Sequence, residues 1–171
     1  FGQEEIRQAY QNGERIRYAY VKLMEEEAWF EDQAYVDTMN PEAVAEFIRV
    51  THEAYAREVG EEFGKTVPAI FTDEPRMGKH PPISRGLSAE DVTIPYTDYM
   101  AQQMMERYGV DPLDIVPEYI WEREDGSFSE ARYQYREVCA ECFVSAFLDQ
   151  IGKWCREHQI LMTGHVLSEE T

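Results

Sequence analysis

Apolar residues recur through residues 130–158 with the period of about 3.6 residues that is typical of an amphipathic α-helix. The members of this stripe are Tyr135, Val138, Cys139, Cys142, Phe143, Ala146, Phe147, Ile151, Trp154 and Cys155. A second helix is predicted after Asn40 and Pro41, which favour a helix start, and before Gly60. Its buried face is predicted to comprise Val44, Phe47, Ile48, Thr51 and Tyr55. The pattern therefore predicts two helices with one buried face each.

Three apolar runs have the length and composition of β-strands, at residues 33–37, 66–73 and 159–166. We expect them to be adjacent, parallel and in that order, joined by right-handed helical crossovers. Residues 15–23 also have strand-like composition, so a hairpin with residues 32–37 is one expectation, and a helix is the alternative for the first segment. Shorter helices are predicted at 97–108 and 112–119.

This order of elements predicts an α/β fold for the whole chain, 1–171, as a single unit. Residues 1–32 form a leading strand or hairpin region, and residues 33–171 form βαβαβ units with a long βα loop at 75–96 that we expect to be functional. A complete (β/α)8 TIM barrel needs about 250 residues, so the chain can supply only part of one. An open three-layer sheet fits the same periodicity.

Composition narrows the classes of partner. The chain has 16 Lys+Arg against 34 Asp+Glu, a net charge of −18, and 43% hydrophobic residues, which is typical of a folded acidic protein. This charge disfavours nucleic acid and anionic membrane surfaces, whereas neutral sugars and divalent cations fit it. No apolar run of about 18 residues is present, so we expect a soluble protein.

The ends of the chain suggest a piece of a longer protein, because the first residue is not Met and no signal peptide pattern is present. Its parent could be secreted, periplasmic or cytoplasmic, and the sequence does not decide among these. An incomplete barrel exposes sheet edges, and we therefore expect the fragment to self-associate.

The cysteines raise the question of a zinc site, since Cys139, Cys142, Cys155 and His158 are spaced like zinc ligands. However, all three cysteines belong to the apolar stripe of the long helix. In a continuous helix Cys139 and Cys155 would be about 24 Å apart, too far to share an ion. We therefore predict that these thiols are core residues.

Ionisable residues follow each of the three predicted strands, where the active sites of parallel α/β proteins lie. They are Asp37 after the first strand, Asp73 and Glu74 after the second, and His165, Glu169 and Glu170 after the third. Neighbouring strands are about 4.8 Å apart, so carboxylates on them can lie at separations suited to general acid and base catalysis of glycosidic-bond hydrolysis. The stretch "AIFTDEP" therefore predicts catalytic carboxylates at the carboxyl edge of a parallel sheet.

Each of these residues also has a structural interpretation. Asp37 could stabilise the turn before "TMNP", and Glu74 could cap a helix or pair with Arg76. His165 could be a hydrogen-bonded core residue, and Glu169 and Glu170 could be solvated surface. Trp121 is a candidate for stacking on a sugar, although aromatic residues more often pack in cores.

Three blocks, "YVDTMNPEAVAEFIRVTHEAY", "FGKTVPAIFTDEP" and "WCREHQILMTGHVLSEE", together resemble the central part of the catalytic barrel of large bacterial glycoside hydrolases, particularly the α-L-rhamnosidase-like proteins of family 106. The resemblance implies a partial TIM barrel, a carbohydrate substrate, an inverting pair of carboxylates, and Ca²⁺ near the substrate in some members. It implies that Glu74 is the general acid, with Glu169, Glu170 or a residue beyond Thr171 as the base. Asp37, Asp73, His165 and Trp121 would then contact substrate.

Two alternatives belong to other classes. In one, the chain is a non-catalytic carbohydrate-binding or structural module, in which Glu74 is only a hydrogen-bond acceptor. In the other, Asp37, Asp73, Glu74 and His165 hold a divalent metal for hydrolysis of another bond type, because hard oxygen ligands suit Ca²⁺ and Mg²⁺.

Overall fold

The computed structural model describes residues 2–14, 18–78 and 92–166. Its helices are α1 (Gln3–Gln11), α2 (Pro41–Phe47), α3 (Glu53–Val59), α4 (Asp98–Tyr108), α5 (Val116–Ile120), α6 (Glu130–Phe143) and α7 (Asp149–Glu157). Two π-helical turns, Ile48–His52 and Val144–Leu148, join α2 to α3 and α6 to α7, and short 3-10 turns lie at Ala28–Phe30 and Gly60–Glu62. The strands are β1 (Ala69–Asp73) and β2 (Leu161–His165). The chain is thus a mixed α/β structure, as predicted.

Strands β1 and β2 form a parallel pair whose register runs from Ala69 opposite Leu161 to Asp73 opposite His165. Both strands lie within the predicted segments 66–73 and 159–166. Their parallel pairing follows from the helices between them, which carry the chain back to the starting edge of the sheet. The sheet in the described part of the chain has these two strands.

The predicted strand at 33–37 and the hairpin with residues 15–23 are both wrong over the residues that can be assessed. Residues 18–26 and 34–37 lie outside any strand, and an isolated antiparallel bridge joins Glu27 to Gln33. Residues 15–17 are outside the described residues. The composition was suitable for a strand, but Tyr35 and Thr38 instead form side-chain hydrogen bonds with the segment that follows β1. Strand composition alone does not supply the ladder partner that a strand requires.

The core is built on the helical run from α6 through α7. All ten residues of the predicted stripe are buried, with exposures between 0% and 6%. They pack with Val44 of α2, with Met100 and Met104 of α4, and with Tyr119 and Ile120 of α5. No helix of the described residues has the length and apolar character that a bilayer crossing requires.

Helix α2 begins as predicted, because the Asn40 side chain accepts hydrogen bonds from the backbone N–H groups of Glu42 and Ala43. Its predicted buried face is only partly correct: Val44 is fully buried, whereas Tyr55 is 60% exposed. The π-helical turn at Ile48–His52 contains more residues per turn than an α-helix, so it rotates the following residues around the axis. His52 consequently occupies the buried position, against the rings of Phe47 and Trp154.

The remaining helices match the sequence less closely. Helix α4 agrees with the prediction at 97–108, whereas α5 covers only the end of the segment predicted at 112–119. Helix α1 was not predicted, and none of its residues is buried. Most of the predicted loop at 75–96 lies outside the described residues, at 79–91.

The two faces of the β1–β2 pair differ in their environment. Ile70 and Met162, which are opposite each other in the register, pack against the helical core. Phe71 and Leu161 lie at alternate positions, on the other face, and are 60% and 70% exposed. The sheet therefore has one covered face and one open face, with Asp73 and His165 at the carboxyl end of the open face.

Candidate functional site

The carboxyl end of the parallel pair brings Asp73 and His165 together. They are the last residues of β1 and β2 and are opposite each other in the register. The His165 Nε2 atom is 3.2 Å from Asp73 Oδ1, and the His165 ring packs edge-on near Phe71 with 6.0 Å between ring centroids. The side chains are 75% exposed for Asp73 and 42% for His165. The prediction that these two residues share one edge of the sheet is thus confirmed by the strand register.

Glu74 continues this edge by one residue. Its backbone N–H donates a hydrogen bond to the His165 carbonyl oxygen over 3.0 Å, so the ladder extends beyond the end of the strands. Its φ of 44° is in the left-handed region, which turns the chain out of the strand direction before the buried Pro75. The Glu74 side chain is exposed.

The turn that contains Asp37 docks against the chain that follows Glu74. The Asp37 carboxylate accepts a hydrogen bond from the Met39 backbone N–H over 3.1 Å, so the turn-stabilising role considered for it is present. The Thr38 hydroxyl donates to the Arg76 carbonyl oxygen over 2.7 Å, and the Arg76 backbone N–H donates to the Tyr35 hydroxyl oxygen over 3.2 Å. Asp37 is therefore anchored next to the strand-end edge although it does not end a strand.

Arg76 and Tyr35 are site residues that the sequence analysis missed. The Arg76 guanidinium lies over the Tyr35 ring, 5.3 Å from its centroid, instead of forming the ion pair with Glu74 that was considered. The sequence signal was weak, since the two residues are 41 positions apart and only "DEPR" marks the arginine as adjacent to the carboxylates. We call Asp37, Asp73, Glu74, Arg76 and His165 the strand-end cluster.

The other predicted site residues are not joined to this cluster by the described contacts. Trp121 follows α5, packs partly against the hydrophobic core, and its carbonyl oxygen accepts a hydrogen bond from the Arg132 guanidinium. Trp121 is partly buried, and its contact with a sugar stays a prediction. Glu169 and Glu170 lie outside the described residues, so the position of the candidate base stays a prediction.

The cysteines belong to the core, as predicted. Cys139, Cys142 and Cys155 are all buried, and burial raises the pKa of Cys139 to about 12 and that of Cys142 to about 11. Thiols with such pKa values stay protonated near neutral pH and are poor metal ligands and nucleophiles. The His158 Nδ1 atom lies 2.9 Å from the Trp154 carbonyl oxygen, a local contact within the helix end. These four residues therefore serve packing.

Metal-binding geometry is absent from the residues that the structure describes, where no group of three or more His, Cys, Asp or Glu side chains could hold an ion. Asp37, Asp73, Glu74 and His165 thus do not converge on one ion as the metal hypothesis expected. Calcium remains an implication of the family resemblance.

The strand-end cluster contains the exposed carboxylates of Asp73 and Glu74, the partly buried carboxylate of Asp37, an imidazole and a guanidinium, at the edge of a parallel sheet. Such a set can form hydrogen bonds with the hydroxyl groups of a sugar and can exchange a proton with it. Comparisons of the chain with protein-family models, with curated proteins and with solved structures find no match.

Proposed function

We propose that the chain is part of a glycoside hydrolase barrel, in which Glu74 acts as general acid at the carboxyl edge of β1. The observation that carries this proposal is the two-faced β1–β2 pair. Helices cover one face, while the other presents Phe71 and Leu161 with ionisable side chains at its carboxyl end. This arrangement is what neighbouring strands of a parallel barrel have, since one face meets the helices and the other fills the interior.

In the proposed reaction the Glu74 carboxyl donates its proton to the glycosidic oxygen of the leaving group. A second carboxylate activates a water molecule on the opposite side of the sugar, and Glu169 or Glu170 after β2 is the candidate for this role. Carboxyl groups about 6.5 to 9.5 Å apart give inversion. Asp73 and His165 would hold sugar hydroxyls, and Asp37 would hold the neighbouring turn in place. The family resemblance suggests an α-L-rhamnoside as substrate.

The exposure of Glu74 in the free chain also favours a second candidate function, a carbohydrate-binding module without chemistry. There Glu74 would only accept hydrogen bonds from sugar hydroxyls. The two candidates share the site and differ in whether the Glu74 proton is used.

Replacement of Glu74 by Gln in the natural full-length protein separates them. We expect turnover of methyl α-L-rhamnoside to fall by about 10² to 10⁴, the usual contribution of general acid catalysis. Turnover of p-nitrophenyl α-L-rhamnoside should fall far less, because an activated phenolate departs with little protonation. Glu58→Gln, at an exposed position in α3, is the matched control and should change neither rate.

Equal losses on both rhamnosides would make Glu74 a positioning residue or a base and would contradict its role as acid. A loss below about threefold on both would remove it from the chemistry and leave the binding-module candidate.

A further inference from the structure

Arg76 is held rigidly beside the strand-end edge. Its backbone N–H donates to the Tyr35 hydroxyl oxygen, and its carbonyl oxygen accepts from the Thr38 hydroxyl. The peptide groups on both sides of the Arg76 Cα are thus held by hydrogen bonds. Its guanidinium lies over the Tyr35 ring, and that ring packs in turn against Phe30 with 5.1 Å between centroids. A side chain fixed in this way loses little conformational entropy when it binds a ligand.

Among the described residues, Arg76 forms no ion pair. Arg76 has no carboxylate oxygen within 4.0 Å there, and its side-chain N–H groups have no acceptor. Four other described arginines also lack an ion pair. Arg57, Arg136 and Arg156 are exposed, where water hydrates them, and the guanidinium of the partly buried Arg132 donates to the carbonyl oxygens of Glu118 and Trp121. Arg76 is partly buried. In a chain with 34 acidic residues, a partly buried cation that has no acidic partner within residues 2–14, 18–78 and 92–166 favours a partner supplied by a ligand.

We propose that Arg76 forms a subsite for the carboxylate of an acidic sugar, next to the bond that Glu74 would cleave. This inference rests on the proposed function and specifies the substrate class as a glycan that contains a uronic acid. The guanidinium lies over the Tyr35 ring and forms no hydrogen bond with a described residue, so its N–H groups remain available for bidentate binding of a carboxylate.

The charge of the surroundings limits how many anionic groups the ligand carries. Asp37, Asp73 and Glu74 belong to the same cluster, and the whole chain carries −18. Repulsion from these groups acts on every ligand charge, while Arg76 compensates one of them. A polyanionic glycan is therefore disfavoured, and a single carboxylate placed at Arg76 is the acidic ligand that fits.

Titration of the protein with galacturonate and with galactose, followed by NMR, tests this subsite. The two sugars differ at one carbon, and we expect galacturonate to bind about 10- to 100-fold more tightly, the range for charge-assisted hydrogen bonds. Arg76→Gln should abolish this difference between the two sugars. Arg76→Lys should keep part of it, because a lysine retains the charge but not the bidentate geometry. Arg57→Gln removes an unpaired exposed arginine and should leave both affinities unchanged.

Three results would overturn the inference. Galacturonate and galactose could bind equally, Arg57→Gln could reduce galacturonate binding as much as Arg76→Gln does, or galactose 6-sulfate could bind more tightly than galacturonate. The last result would assign the subsite to a sulfate ester. Unchanged urea unfolding midpoints would verify that the variants are folded.

The rate measurements on Glu74→Gln keep the two proposals separate. If that variant retains turnover while Arg76→Gln loses selective galacturonate binding, the hydrolase proposal fails and the acidic-sugar site stands. If Glu74→Gln loses turnover while Arg76→Gln binds galacturonate as the wild type does, the acidic-sugar site fails and the hydrolase proposal stands.

Discussion

The helical run of α6 and α7 and the β1–β2 pair differ in how much of each the chain itself covers. Every residue of the apolar stripe on the helical run is at most 6% exposed, whereas Phe71 and Leu161 on the open face of the sheet are 60% and 70% exposed. Two-stranded sheets are marginally stable unless another element packs on them, and here helices do so on one face only. The buried apolar surface that stabilises the chain is therefore concentrated in the helices, while the open face of the sheet and its carboxyl edge are exposed.

The largest effect is expected from a tryptophan in the helical region. The Trp154 Nε1–H donates to a Glu53 carboxylate oxygen over 2.7 Å, and its ring stacks on His158 with 3.9 Å between centroids. Trp154→Ala leaves a cavity and an unpaired carboxylate, so it should lower the free energy of unfolding by about 3 to 5 kcal/mol in urea titrations.

The matched control for this substitution is Trp29→Ala, because Trp29 is 87% exposed. It should change the free energy of unfolding by less than about 0.5 kcal/mol. Similar losses of unfolding free energy for the two substitutions would contradict the conclusion that Trp154 belongs to a stabilising buried core and Trp29 does not.

A smaller effect is expected where the two strands approach most closely. Gly164 has a φ of 138°, and a Cβ atom there would collide with the Thr72 carbonyl oxygen of the neighbouring strand. Gly164→Ala should therefore lower the free energy of unfolding by about 1 to 3 kcal/mol. Because Asp73 and His165 form the next pair in the register, the substitution should also separate these two side chains. Urea titration measures the free energy of unfolding, and the NMR resonances of the His165 ring report the separation from Asp73.

Gly60→Ala is the control glycine, since Gly60 has a φ of −60° and no heavy atom near the position of a new Cβ. It should be neutral or stabilising by up to about 1 kcal/mol. If alanine at positions 60 and 164 had the same effect on the free energy of unfolding, the close contact between Gly164 and Thr72 would be contradicted.

The parts of the fold that could be predicted from the sequence are those set by local periodicity. The stripe of the long helix, the Asn40 cap and the two strands all depend on residues near one another in the chain, and the structure has each of them. The burial of His52 in place of Thr51 and Tyr55 was not predictable in this way, because one π-helical turn changes the phase of everything after it.

The candidate site shows the same division. Asp73 and His165 were placed at one edge because each ends an apolar run, and parallel strands bring such ends together. The strand at 33–37 was wrong and Arg76 was missed because both depend on contacts between segments about 40 residues apart. Periodicity contains no information on such contacts.

We propose that the carboxyl edge of β1 and β2 binds a glycan while the helices serve as scaffold. Amide chemical shifts measured during a titration with methyl α-L-rhamnoside locate the binding site residue by residue. We predict saturable shifts at Asp73, Glu74, Arg76 and His165 and none through α6 and α7. Shifts centred on another part of the chain, or no shifts at saturating sugar, would contradict it.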